Sequence, residues 1–267
     1  MDLATVIGVV GAIGSLIAAF VLDGGTVSAL LQPTAALIVF GGTIGATLTT
    51  VTLRDFLGIG KYFKVAFIHK DLNIPSAIQQ LYDISTIARR EGLLGMEEKL
   101  NDINNVFLQK GLQSAIDGTD PELLKIMLET EVAYMEGRHE AVVRLFEAAG
   151  GFAPTMGIIG TVMGLVHVLA NLTDVNALGP KIATAFIATL YGVSTANILW
   201  LPIGSKLKRR NGEEIIYYEM LTEGILSIQA GENPNILRQK LLTFLSPRMR
   251  TNAAQSDDAV AVNTAPV

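Results

Sequence analysis

Apolar and polar positions alternate along the chain in blocks rather than residue by residue. Four stretches, Leu3 to Leu22, Pro33 to Leu53, Ala148 to Thr173 and Ile182 to Ser205, carry almost no charge. Each is long enough to cross a hydrocarbon core of about 30 Å at about 1.5 Å per helical residue. No Lys or Arg precedes the first stretch and no small-x-small site closes it, so it reads as a retained span rather than a cleaved signal.

Between the second and third stretches, from Thr52 to Glu147, apolar residues recur three and four positions apart, which predicts helices and no strands. Asp120-Pro121-Glu122 is a helix start: a capping carboxylate, a proline whose missing N–H costs nothing in the first turn, and an acid favoured by the helix dipole. The apolar positions Leu128, Val132, Met135, Val142 and Phe146 then predict one long helix entering the third span. Glu213 to Gln229 should continue below the fourth span, and Pro234 to Leu245 should form a last short helix. Thr251 to Val267 has no pattern and is expected to be disordered. The fold class is therefore an all-α integral membrane protein, divided at 1–53, 54–147, 148–205, 206–250 and 251–267.

Half of the residues are hydrophobic and cysteine is absent, which removes disulfides, thiol nucleophiles and cysteine-bound metals. A net charge of −5 gives no general affinity for nucleic acid. The connectors Asp23 to Gln32 and Asp174 to Lys181 hold a single basic residue, Lys181. All other Lys and Arg lie between Arg54 and Arg144 or between Lys206 and Arg250. By the positive-inside rule those two regions are cytoplasmic, so both termini lie inside, as an even number of spans requires.

Polar residues gather in the last two spans: Thr155, Thr161, His167 and Asn171, then Thr184, Thr189, Tyr191, Ser194, Thr195 and Asn197. A lone membrane threonine commonly bonds back to the carbonyl four residues earlier, so the clustering rather than any one hydroxyl suggests a wet or partner-facing surface. No Asp, Glu, Lys or Arg lies inside a span, and His167 is the one ionisable group at depth. Proton relays and cation sites in membranes need such a group. Either the chain moves no ions or another subunit supplies the carboxylate. Pro154 and Pro202 bracket the polar spans as hinge candidates, since each removes a backbone bond. Glycines such as Gly160 and Gly164 allow close helix packing, within the chain or between copies. No phosphate loop, metal-ligand cluster or nucleophile constellation is present, so an enzyme is not expected, nor a cofactor.

Four motifs carry a resemblance: Ala88-Arg89-Arg90-Glu91-Gly92 before Leu93-Leu94; Ala153-Pro154-Thr155-Met156-Gly157 with Ile159-Gly160-Thr161-Val162-Met163-Gly164; Ala188-Thr189-Leu190-Tyr191-Gly192; and Gly231-Glu232-Asn233-Pro234. With the order of two spans, a helical domain, two spans and a basic tail, the chain resembles the MotA/PomA stator subunits of the flagellar motor up to about Pro247. The resemblance implies a homopentamer in the bacterial inner membrane around two helices of a MotB-like partner, whose membrane Asp binds the moving ion. It places Thr161 and Thr189 on the ion pathway and Pro154 and Pro202 at bends. Arg89, Arg90, Glu97 and Glu98 become contacts to the rotor protein FliG; without the family they read as a solvated face. Thr161 and Thr189 match sodium-type relatives, Ala188 departs from them, and the ion, proton or sodium, stays open. The third-span pattern also resembles ExbB/TolQ proteins, which lack the first hydrophobic pair. An energy-transducing scaffold of that kind, or a non-transporting scaffold, is the alternative.

Overall fold

The computed structural model describes residues 2–68, 72–170, 175–245, 247 and 250, and the expectations for Asn171 and for 251–267 lie outside them. Among the described residues every regular element is helical. Four helices are long and apolar enough to cross a membrane: Leu3–Leu22, Val27–Leu48, and segments within Pro121–Leu169 and Leu178–Gln229. Contacts sort the chain into two compact units, Met1–Lys70 with Arg138–Arg210, and Asp71–Gly137 with Asn211–Val267.

The first unit opens with α1 (Leu3–Leu22), capped by Asp2, whose carboxylate accepts from the Thr5 N–H at 3.4 Å. No residue of α1 is buried within the chain. Its apolar surface therefore belongs to lipid or to another polypeptide. A 3₁₀ turn at Val27–Leu30 leads to α2 (Pro33–Ala36), a π-turn at Leu37–Gly41 and α3 (Gly42–Leu48). The second span thus ends at Leu48, short of the expected Leu53. Threonines end it: Thr49 and Thr50 donate their hydroxyls to the carbonyls of Ala46 and Thr47, at 2.7 and 2.8 Å, and Thr52 caps the next helix by accepting from the Asp55 N–H at 3.2 Å. Two short helices follow, α4 (Leu53–Leu57) and α5 (Ile59–Phe67). The inner face of α5 packs Ala66 and Phe63 against Phe146, Trp200 and Ile203, with the Phe63 and Phe146 rings edge to face at 5.3 Å.

In the second unit α6 (Ile74–Glu91), α7 (Glu97–Leu100) and α8 (Val106–Ile116) pack on the 121–137 part of α9 (Pro121–Leu169), the 211–229 part of α11 (Leu201–Gln229) and α12 (Pro234–Leu242). The core is aliphatic: Leu81, Leu108, Leu112, Leu124, Met220, Leu221 and Ile225 are almost fully buried. Each such side chain contributes about 1.5–3 kcal/mol from water removal. Starts follow a repeated device, an Asn or Asp accepting from backbone N–H groups: Asn105 from Leu108, Asp120 from Glu122 and Leu123, Asn233 from Asn235. α9 runs 49 residues from Asp120-Pro121 through Pro154, as its apolar periodicity predicts. The fourth span consists of α10 (Val175–Thr195), a π-turn at Ala196–Trp200 and the start of α11, which is one helix from Leu201 to Gln229. In the wide turn the Leu201 N–H bonds to the Ala196 carbonyl, one residue before Pro202. Proline has no N–H to continue an ordinary ladder, and a π-turn at that place re-pairs the carbonyls it would strand.

Candidate functional site

The seam between the third and fourth spans is built from residues without bulk. A Cβ on Gly157 would sit 2.8 Å from the Ala188 carbonyl oxygen, one on Gly160 2.6 Å from the Ala188 methyl, and one on Gly192 would strike the Ala153 carbonyl. Gly160 and Gly164 therefore serve packing within the chain. Backbone contact brings the two threonines singled out from the sequence together. Thr161 Oγ1 and Thr189 Oγ1 lie 2.5 Å apart, with the Ala185 and Gly157 carbonyls 3.0 and 3.2 Å from Thr161 Oγ1. Thr189 Oγ1 is 3.4 Å from the same Gly157 carbonyl. The result is a half-buried cluster of four oxygens with two hydroxyl protons between them. Such a cluster can relay a proton or offer neutral oxygen ligands to a hard cation, but it holds no fixed charge.

Four other polar groups of these spans do local work. Thr155, Thr184 and Thr195 donate to the carbonyls of Phe152, Pro180 and Tyr191 on their own helices, and Asn197 donates to Val193. His167, Lys181, Thr34 and Thr184 line an open pocket of about 390 Å³ that reaches Gly160 and Ala188. Pro154 is half-buried in α9, and Pro202 is exposed next to the π-turn. Among the described residues no group of three or more acidic, histidine or cysteine side chains could hold a metal.

Two features of this unit carry no role in the sequence reading. The Tyr191 hydroxyl donates to the Leu30 carbonyl and accepts the Gln32 N–H at 3.2 Å, tying the 27–32 connector to the helix that carries Thr189. Asp2 pairs with Lys206 and Arg210, and the Arg210 guanidinium also donates to the carbonyls of Val65 and Ile68 at the end of α5. The hydrogen bond from Lys206, helped by the Thr5 N–H and the Arg210 charge against a desolvation cost, lowers the Asp2 carboxyl to a pKa of about 2. A lone acid before the first span and a basic quartet after the fourth, which an even number of spans puts on one side, were the signal for it.

In the second unit the charged pairs flank a turn. α6 ends at Glu91, Gly92 takes φ +81°, a 3₁₀ turn spans Leu93–Met96, and α7 starts at Glu97. One helix does not carry both pairs. Positive φ is open to glycine and strained for other residues, so Gly92 makes the break. Arg89, Arg90, Glu97 and Glu98 are all exposed.

Comparison with known proteins places these features. Residues 6–92 match the motility protein A N-terminal family model, and residues 99–220 match the model of the MotA/TolQ/ExbB proton channel family. Motility protein A of Bacillus subtilis is 37% identical over 97% of the chain and 96% of its own length. The chemotaxis protein PomA of Vibrio alginolyticus is 36% identical over 94% and 98%. Among solved structures, the flagellar MotAB stator complex from Bacillus subtilis superposes with a TM-score of 0.86 at 37% identity, covering 92% of this chain and 98% of that one. The C. jejuni MotAB structure gives 0.87 at 32% identity, covering 92% and 97%.

Proposed function

The chain belongs to the motility protein A family, the channel-forming A subunits of flagellar motor stators and not enzymes, and on that premise we propose how its own residues take part in torque generation. It is a multi-pass protein of the bacterial inner membrane that works with a MotB-type partner. Five copies surround two partner helices, with both termini of each copy in the cytoplasm. The partner contributes the membrane Asp, and this chain contributes the Thr161–Thr189 oxygen cluster beside it.

The observation that carries this reading is the pairing of a half-buried hydroxyl cluster with spans that hold no acid. The cluster can solvate an ion or a proton in transit, yet it has no charge with which to trap one. Neutralising the partner Asp and then discharging it inward lets the ring step around a dimer whose symmetry it does not match. One charge crossing 100 mV releases about 2.3 kcal/mol, comparable with a few interhelical hydrogen bonds, so a step of this kind is affordable. Torque passes to the rotor protein FliG through Arg89, Arg90, Glu97 and Glu98, where charge complementarity suits repeated engagement and release. The coupling ion is a proton or sodium.

Liposomes test the division of labour. The purified subunit alone should not conduct cations, whereas the complex with an unplugged partner should; equal conduction by both would overturn the proposal. Swimming measured against external sodium, with an uncoupler control, assigns the ion. The scaffold alternative draws on the third-span glycine pattern, but the two N-terminal spans and the relatives matched along nearly the whole chain favour the stator.

A further inference from the structure

The break between α6 and α7 does more than separate two pairs of charges. Its two flanks are fixed: Leu93 packs against the core of the second unit, and Met96 and Leu100 are buried within it. The Gly95 N–H closes the turn on the Gly92 carbonyl at 3.1 Å. A Cβ on Gly95 would lie 2.5 Å from that of Glu91, so the turn is compact enough to need glycine there. Between these anchors Leu94 points outward, 72% exposed. A lone exposed leucine is ordinary on a protein surface. This one is held by a tight turn, with exposed Arg89 and Arg90 before it in the chain and exposed Glu97 and Glu98 after it. None of those four charges takes part in an ion pair among the described residues, although other surface charges of the same unit do, Lys99 with Asp102 and Lys125 with Glu129.

We propose that Leu94 is the apolar centre of the rotor-contacting surface, and that the rotor protein presents to it an apolar socket with acidic groups on the Arg89–Arg90 side and basic groups on the Glu97–Glu98 side. This rests on the reading that those four residues meet the rotor. Energy in protein interfaces concentrates in apolar anchors that exclude water, while rim charges mainly set encounter rate and orientation. Exposed ion pairs alone are worth about 0–1 kcal/mol each, little to hold against a turning rotor. An anchored leucine supplies grip that salt does not screen, and the unpaired charges supply register.

The chain has no cysteine, so Leu94→Cys places a single thiol in this subunit. A membrane-permeant maleimide should label it readily in cells lacking the rotor protein and more slowly in cells that have it. Equal labelling in the two strains overturns the proposal, as does protection in both, which would assign the site to a second copy of this chain. In the bead assay Leu94→Gln should leave roughly fivefold fewer engaged torque units, Leu94→Met nearly the parental number, and ion flux through the unplugged complex should be unchanged in both. Parental torque from Leu94→Gln overturns the apolar centre while charge reversals at Arg90 and Glu98 still impair coupling. If those reversals are silent too, the rotor reading itself fails.

Discussion

The side-chain oxygens of Thr161 and Thr189, on different spans, stand 2.5 Å apart and share one hydrogen bond. Thr189→Val keeps the shape and removes the hydroxyl. Thr161 retains the carbonyls of Ala185 and Gly157 as acceptors, so stability should change by no more than about 1.5 kcal/mol. The variant should assemble with its partner yet lose most torque. Recovery of intact complex with parental swimming speed would remove Thr189 from the ion pathway.

Close approach at the seam makes a second test. Gly157→Ala and Gly192→Ala push a methyl into backbone carbonyls, which cannot swing aside as a side chain can. Each should cost about 1–3 kcal/mol, seen as earlier thermal unfolding in detergent. Gly11→Ala meets nothing within 4 Å in the chain and should leave the isolated subunit unaffected. If it nevertheless weakens the assembled complex, a neighbouring polypeptide covers α1.

The two ionic clasps should fail at opposite ends of the pH scale. Asp2 has its carboxyl lowered from 3.8 to about 2, so its contribution is whole above pH 4 and fades as pH falls through 2. Lys240, hydrogen-bonded to Glu223 and Glu232 at the α11–α12 joint, has its ammonium raised above 10.5 despite a desolvation cost. Its contribution is complete below that value and is lost as pH climbs past the raised one. Lys240→Met should remove the alkaline dependence of unfolding seen by circular dichroism, and an unchanged alkaline limb would refute the assignment.

Reversing Arg90 to Glu or Glu98 to Lys disturbs no ion pair among the described residues, so folding should change by within about 0.5 kcal/mol. Rotor coupling should fall while ion flux through an unplugged complex holds. Parental swimming by both variants would return these side chains to a merely solvated surface.

Tyr191→Phe strands the Leu30 carbonyl and the Gln32 N–H, with a cost of about 1–3 kcal/mol if both are shielded from water. Faster hydrogen exchange confined to the Gln32 amide and its neighbours would mark the released connector, and unaltered exchange would show that the tie holds nothing.

The spans and the long α9 were legible because lipid and core each impose a pattern, apolar length in one case and a three-four spacing in the other. The end of the second span was not, since Thr49, Thr50 and Thr52 look apolar enough to continue and stop the helix by hydroxyl bonding that hydropathy does not register. Thr161 and Thr189 could be chosen from motif likeness, but their meeting depends on glycines 157 and 192 letting two backbones touch. Tyr191 is paired with a carbonyl 161 residues away, and no local spacing encodes such a bond.

Spans that hold hydroxyls but no acid have a consequence for supply. A cell that made this subunit in surplus would be adding electrical insulation, since its spans hold no carboxylate on which a stray cation could shed its water. On the proposed division of labour, the danger of a short circuit travels with the acid-bearing partner, so a surplus of the partner, and not of this chain, would be the costly one.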